Sequence, residues 1–436
     1  MLGFNISGNR GGREIVTAIE IGTHSVKVVM GEFSADGTLS IIGAGQEKTH
    51  GKVMKGEILD VTAVQEPMMR AMQAAEESAN GTEIANIFLA VNGAHLGSVN
   101  SIGSTIIRST ERYVSERDKE DAITNAYNYP MRPDQEVLHC SPRFFRVDGR
   151  EVDNPIGLHG GKLEADAHIV YGQHTRFENS RNVIHDIMGA GEQEPRGLVF
   201  SPIAAAAAIL SREDARRNGV LVIDIGAGVT GYGVFAGGED HCLHSGQIAV
   251  GCEQIANDLS LGLQLSIVQC RDILERLPGS GVKATMTADG RTREMAVEVG
   301  AGRPPRNIPA STIEQVIEMR LQELFQKIMD DLARRDMLKR IGGGVRLCGG
   351  GALIPQIADL ARRVFEAPVE IACARLVNGP AQVVKSPVFV TVIGTLRVGR
   401  QMLGEMDVKA SLSQQIWGDL INFRQFLADF RRAFRW

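Results

Sequence analysis

Residues 220–235 constrain this chain more than any other stretch. The run VLVIDIGAGVTGYGVF sets one acid, Asp224, among Leu221, Val222, Ile223 and Ile225, then a glycine bend, then a second apolar run. That is the pattern of a β-hairpin with an anion in its turn. Gly226 and Gly228 let backbone N–H groups approach a phosphate closely, and Asp224 then faces bound Mg2+ or its waters. A plain strand-end turn fits the same residues. An earlier copy, IVTAIEIGTHSVKVVMGEF, puts Glu20, Gly22 and Thr23 between two apolar runs. Two such hairpins imply a duplicated α/β domain gripping one nucleotide. A third segment, VRLCGGGALIPQIADLARRVF, reads as a strand, then Gly349, Gly350 and Gly351, then a helix with Pro355 in its first turn, a wall on the nucleoside side.

A chain of 436 residues exceeds one ordinary core, so two or more domains are expected. A formal net charge of −5 argues against nucleic acid as the main partner. Six cysteines, none in a CxxC pair, lie largely within apolar stretches and suit a reducing compartment. His241, Cys242 and His244 crowd together, either as an ordinary strand or as part of a metal site that needs a further ligand. The N-terminus, MLGFNISGNRGGR, lacks a secretory core, and no stretch approaches the ~20 apolar residues that cross a bilayer, so the body is expected to be cytoplasmic.

In chain order, Glu14 to about Gln46 reads as a three-stranded meander, with Lys27 on its second strand as a solvated edge lysine or a phosphate-facing one. Asp60 to Ala79 has helical spacing with Thr62 as cap and methionines in the core. Ile84 to Asn92 is a strand, after which a compact α/β insert begins. Its parts are a strand over 98–108, a helix opened by capping-box chemistry at Ser115, and a strand over 135–149. Leu163 to Gly172 reads as a strand returning to the main body, followed by a helix over 176–188 and an alanine-rich helix over 203–210. Past the central hairpin come a strand from Cys242, helices over 252–263 and 267–277, and a long helix capped by Ser311 that runs to about Arg334.

Gly404 to Gln415 reads as a flexible linker. Beyond it Ile416, Leu420, Phe423, Leu427, Phe430 and Phe434 recur at helical spacing between Trp417 and Trp436, beside Arg424, Arg431, Arg432 and Arg435. This basic amphipathic helix either packs on the parent domain or lies on an anionic membrane surface, and the bulky aromatics at the end of a linker favour the membrane.

EIGT, DIGAG and LCGGGALIPQI stand in the order used by the actin-like ATPase superfamily, which includes sugar kinases and heat-shock chaperones. Over nearly its full length the chain resembles the bacterial cell-division FtsA family. The resemblance is carried by VLHCSPRFFRVDGREVDNPIGLHGGKLEADAHIV, by the basic glycine link Gly300 to Arg306, by TIEQVIEMRLQEL and by the terminal helix. It implies an α/β actin-like (ribonuclease H-like, duplicated) fold. Subdomain 1A would comprise 14–88, 169–204 and 386–403, and 1C the insert 89–168. Subdomain 2A would comprise 205–240 and 312–385, and 2B 241–311. A flexible N-terminus (1–13), the linker (404–415) and a membrane-targeting helix (416–436) complete the division.

The resemblance further implies ATP and Mg2+ in the cleft between halves. Glu20, Gly22, Thr23, Ser25, Lys27, Asp224, Gly226, Ala227, Gly228, Thr230, Gly251, Glu253, Gly349, Gly350 and Gly351 would hold the nucleotide, and Glu20 and Asp224 the metal. The implied partners are further copies in a filament, the C-terminal tail of the tubulin-like protein FtsZ, other division proteins and anionic lipid on the cytoplasmic side of the inner membrane. Arg320 and Glu323 are candidates for the FtsZ tail, with an exposed helix salt bridge as the alternative. Trp417, Leu420, Phe423, Leu427, Phe430, Arg431, Phe434 and Trp436 are candidates for the membrane. Three departures from the family's second phosphate motif stand out: Ala227 for a glycine, Val229 for a threonine and Gly231 for an aspartate, with Thr230 as a partial substitute. The alanine-rich helix also offers no Glu or Gln to orient water, so hydrolysis is expected to be slow or absent. The alternative functions are a PilM-type platform of a type IV pilus system, whose first motif also resembles EIGTHSVK, and an active ATPase or kinase.

Overall fold

The computed structural model describes residues 14–416 except 110, 190–193, 212, 215–218, 237–240, 278–293 and 299–303. Strands β1 (Glu14–Ile21), β2 (Ser25–Phe33) and β3 (Leu39–Lys48) form an antiparallel meander. Helix α1 (Val61–Ser78) then crosses to β4 (Ile87–Val91), which lies parallel to β1. Val64, Met68, Ala71, Met72 and Ala75 form the buried stripe of α1, so these methionines are core residues. Asp60, not Thr62, caps the helix, because its carboxylate reaches the Ala63 N–H at 3.0 Å.

The chain next builds a separate sheet from β5 (Gly97–Ile106), β6 (Gln135–Val147), β7 (Arg150–Val152) and β8 (Lys162–Gln173), in the order β5–β8–β6–β7. Helix α2 (Glu116–Tyr127), opened by a Ser115–Asp118 capping box, packs on it. The strand read as returning to the main body is therefore a central strand of the insert: β8 pairs with both β5 and β6. The return is made by α3 (His174–Met188), β9 (Gly197–Phe200) and α4 (Ser201–Ile209), with β9 parallel to β4.

The second half repeats the first. Strands β10 (Val220–Ile225), β11 (Thr230–Phe235) and β12 (Cys242–Ile248) form a meander. They are followed by α5 (Cys252–Leu263), α6 (Ile267–Arg276), the ribbon β13 (Glu294–Val297) with β14 (Arg306–Pro309), and α7 (Ala310–Arg334). Strand β15 (Val345–Cys348) then lies parallel to β10, and after α8 (Ile357–Phe365), β16 (Val369–Ile371) extends the sheet. The two sheet orders, β9–β4–β1–β2–β3 and β16–β15–β10–β11–β12, have one topology, as expected for a duplicated domain. A short strand, β17 (Val377–Asn378), joins β3 at the edge of the first sheet.

Helix α7 buries Ile313, Ile317, Leu321, Leu324, Phe325, Ile328 and Leu332, each such side chain contributing roughly 2 kcal/mol. Its start differs from expectation: Pro309, with φ −58°, precedes the first turn and no side chain caps it, so Ser311 lies inside the helix. Pro355 lies outside a helix too. A 3₁₀ turn covers Gly350–Leu353, and α8 begins only after Gln356, which has left-handed φ. The final helix, α9 (Val390–Ile416), packs along α4 and includes the stretch 404–415 that the sequence suggested was a linker. The membrane-helix candidates from Trp417 to Trp436 lie outside the described residues.

Candidate functional site

The repeated hairpins bring their turns face to face around a cavity of about 420 Å3 between the two halves. Each turn is closed by the same backbone bond, Gly22 N–H to Ser25 O at 3.0 Å and Gly226 N–H to Val229 O at 2.9 Å. The turns approach so closely that a Cβ on Gly228 would lie 2.5 Å from Thr23 Oγ1 and 2.8 Å from the Lys55 nitrogen. Helix α5 braces the second turn, with Cys252 N–H donating to Gly226 O at 3.1 Å and Glu253 N–H to Ala227 O at 2.8 Å. Gly251 belongs to this bracing: its N–H is taken by Gln254 Oε1 at 2.7 Å, and its missing Cβ admits the Gly226 and Ala227 carbonyls.

Of the expected site residues, Glu20, Gly22, Thr23, Ser25, Lys27, Gly226, Ala227, Gly228, Glu253, Gly350 and Gly351 line the cavity. Lys27 is no solvated edge residue. It faces Glu20 across the β1–β2 ladder and pairs with its Oε2 at 2.9 Å, both side chains being largely buried. Asp224, Thr230, Gly251 and Gly349 stand behind the wall. Thr230 is fully buried and donates to Val250 O at 2.8 Å, so it does not substitute for a phosphate-facing threonine. Asp224 is buried and accepts from Thr391 Oγ1 at 2.8 Å. Burial first and the Glu20 carboxylate second push its pKa up to about 6, against the Thr391 hydrogen bond and Lys27.

Residues that sequence reading missed complete the wall. Arg271, Leu274 and Glu275 face the cavity from one side of α6, Gln46 and Asn92 from the first half, and Ser386, Val388 and Phe389 from the segment just before α9. Arg271 grips Glu253 through Nε and Nη2 at 2.6 to 3.0 Å. Across the mouth, Lys48 Nζ meets Glu275 at 2.8 Å, with His24 at 4.0 Å. Burial is the largest influence on His24 and holds its imidazole below the ordinary value. The i, i+3, i+4 spacing of 271, 274 and 275 was the only available signal, and it marks a shared helix face without saying what that face meets.

Elsewhere, Arg320 Nε and Nη2 hold Asp258 at 2.6 and 2.9 Å while Nη1 holds Glu323 at 2.6 Å. Both candidates for the FtsZ tail thus belong to one ion-pair network joining α5 and α7. Cys242 and His244 are buried in β12, and His244 Nε2 is bonded to Asp331 Oδ2 at 2.6 Å. Among the described residues no helix is long and apolar enough to cross a membrane, and no group of three His, Cys, Asp or Glu is arranged to hold a metal ion.

Two family models match this chain: "SHS2 domain inserted in FTSA" over residues 93–171 and "Cell division protein FtsA" over residues 221–394. Together they span more than half of it. FtsA of Pseudomonas aeruginosa is 29% identical over 389 residues, covering 89% of this chain and 90% of that protein. FtsA of Escherichia coli K12 is 28% identical over 414 residues, covering 93% and 95%. Among solved structures, a PilM–PilN type IV pilus biogenesis complex aligns with TM-score 0.63 at 15% identity, covering 88% of this chain and 98% of that one. MreB5 of Spiroplasma citri bound to AMPPNP aligns with TM-score 0.51 at 14% identity, covering 91% and 98%. These likenesses show the actin-like fold, which the duplicated sheets, the inserted unit and the cleft between halves display element by element. The chain belongs to the FtsA family of cell-division proteins.

Proposed function

We propose that this chain binds ATP with Mg2+ in the cleft, polymerises, and tethers FtsZ to the inner face of the cytoplasmic membrane. The observation that carries the reading is the meeting of two glycine turns and the Gly350–Gly351 segment around one cavity, with Lys27 and Glu20 on its wall and the Asp224 carboxylate buried behind them within electrostatic reach of both. A nucleotide-bound MreB5 with the same fold supports it. The donor set fits the metal: Glu20 and Asp224, when both ionised, leave one negative charge that Lys27 does not offset, and Mg2+ is held by one or two carboxylates with phosphates and waters. When bound, the ion would neutralise phosphate charge.

This chain's own residues do the rest. The turn backbones receive phosphate, Gly350, where a Cβ would enter open space, leaves room for the nucleoside while Gly351 lets the segment pack on Ile225, and Leu353, Ile354 and Phe389 supply apolar wall. Hydrolysis is slow or absent in this reading. Val229 and Gly231 supply no phosphate-facing hydroxyl or acid, and the Nε2 of Gln46, which lines the cavity, is committed to Ser25 Oγ at 3.0 Å. A single amphipathic helix binds lipid marginally, so a filament presenting many copies of 416–436 adds avidity. The pilus-platform alternative rests on one motif and a shared fold, whereas the FtsA relatives match along nearly the whole chain.

The test is co-sedimentation of a labelled FtsZ C-terminal tail peptide with anionic vesicles. The full chain with ATP should carry the peptide down, and the chain lacking 416–436 should leave it in solution. Sedimentation indifferent to that deletion would refute the tether.

A further inference from the structure

We propose that Thr391 is the positioning residue for Asp224, the hydroxyl that fixes where this carboxylate stands for a metal–nucleotide complex in the cleft. The proposal deepens the nucleotide reading and rests on it. Asp224 is near the end of β10, and Thr391 is in the first turn of α9, 167 positions later. Both are buried, and the 2.8 Å bond from Thr391 Oγ1 to Asp224 Oδ2 is the one hydrogen bond that this carboxylate receives among the described residues. Lys27, the nearby cation, is committed to Glu20 Oε2 at 2.9 Å.

The opposite side of the carboxylate is fixed by an absence. Gly349 has φ +82°, and a Cβ there would lie 2.4 Å from Asp224 Oδ1, so the acid is packed between a glycine and a hydroxyl. The two flanks are themselves joined, because Gly349 N–H donates to Pro387 O at 2.9 Å just before α9 begins. Thr391 in turn accepts at its carbonyl from Thr395 Oγ1 at 2.9 Å, a bond that steadies the first turn of the helix. A carboxylate pinned at Oδ2 cannot rotate freely about its Cβ–Cγ bond, so Oδ1 is presented in one direction. A valine at 391 would fill the same space and supply no donor. The hydroxyl therefore acts on the orientation of Asp224 rather than on packing alone.

The experiment is equilibrium binding of a fluorescent ATP analogue to the full chain, with Mg2+ and with EDTA, for wild type, Thr391→Val, Thr391→Ala and Thr391→Ser. Melting curves verify folding. With Mg2+, Thr391→Val and Thr391→Ala should weaken binding about tenfold, the equivalent of one hydrogen bond to a charged group. Thr391→Ser should restore it to within about twofold, since it keeps the donor. In EDTA all four should bind alike. Unchanged Mg2+-dependent binding in a folded Thr391→Val or Thr391→Ala overturns the proposal. So does an equal loss in all three variants with and without metal, which would mark a packing role. A wild-type chain that binds no nucleotide overturns the cleft reading itself, and that outcome is visible before any variant is compared.

Discussion

Gly228→Ala probes the cleft at the point where the two halves nearly touch. The added methyl would meet Thr23 Oγ1 at 2.5 Å, Lys55 N at 2.8 Å and Lys55 Cα at 2.9 Å. None of the three is free to retreat. Thr23 Oγ1 accepts the Gly56 N–H at 3.2 Å, and Lys55 is backbone held at φ +52°. The obstructing atoms belong to the first half and Gly228 to the second, so relief comes from the halves parting by some tenths of an ångström rather than from a core repacking. Overpacking of this kind costs roughly 1–3 kcal/mol, here charged to the closed state. The expected result is a nucleotide affinity reduced about 5- to 150-fold at 1.4 kcal/mol per decade, with a melting temperature close to wild type in the absence of nucleotide. Titration calorimetry with ATP and Mg2+ reads the first quantity and a thermal melt the second. Wild-type affinity would refute the reasoning, and a large fall in melting temperature would show that the contact serves the fold rather than closure.

Two further predictions concern the half-exposed Arg320 network and the buried histidines. Arg320→Ala should weaken binding of an FtsZ tail peptide in a direct titration if this network is the docking site; Arg320→Glu is the poorer probe, because it sets an acid against Asp258 and Glu323. An unchanged peptide affinity in Arg320→Ala would leave the network as a helix brace only. Separately, burial lowers the pKa of His139 from 6.5 to about 3 and of His168 well below 6.5. The unfolded chain takes up these protons below about pH 6.5 while the folded chain refuses them, so stability is whole above that pH and falls as the pH drops towards 3. Asp224, raised from 3.8 to about 6, and the raised Asp166 and Glu314 work in the opposite sense, whereas His95, lowered to about 4 by burial, and His24, also lowered by burial, add to the fall. Urea midpoints should therefore fall between pH 7.5 and pH 5, and a flat profile would count against the two buried neutral imidazoles.

The parts legible in the sequence were those written in local pattern. Alternating apolar runs around glycine bends gave both hairpins, and the Ser115 to Asp118 spacing gave a capping box that the structure contains. Errors arose where two local signals competed. At α1, Asp60 and Thr62 are both capping types, and backbone direction decided for Asp60; at α7 a proline of fixed φ started the helix where Ser311 looked the better cap. Polar composition at 404–415 suggested a linker, yet the residues continue a helix already propagating from Val390, and extension is cheaper than nucleation. The candidate site was half legible. Residues in the turns were found, whereas Arg271, Glu275 and Thr391 reach the cleft region from elements that only the tertiary fold brings there. Thr230 and Asp224 were assigned to the wall because the turn between them is there, whereas both side chains are buried and committed to tertiary partners, Thr230 to Val250 O and Asp224 to Thr391.

The insert has a consequence for how such a chain folds. Its first and last strands, β5 and β8, are hydrogen-bonded to each other with Gly97 opposite Tyr171, so the insert begins and ends at one place. In the body, β4 and β9 pair as parallel neighbours with Phe88 opposite Gly197, across more than 100 residues of intervening chain. A floppy loop lengthened about fourfold would raise the closure cost by only about 1 kcal/mol, and an insert that folds first reduces even this, because it delivers its two ends already side by side. The body sheet then closes as though the insert were a short connection. A unit attached in this way can be exchanged, enlarged or lost without disturbing the register of β4 against β9, which gives evolution a place to alter one face of the molecule while the sheets behind it stay as they are.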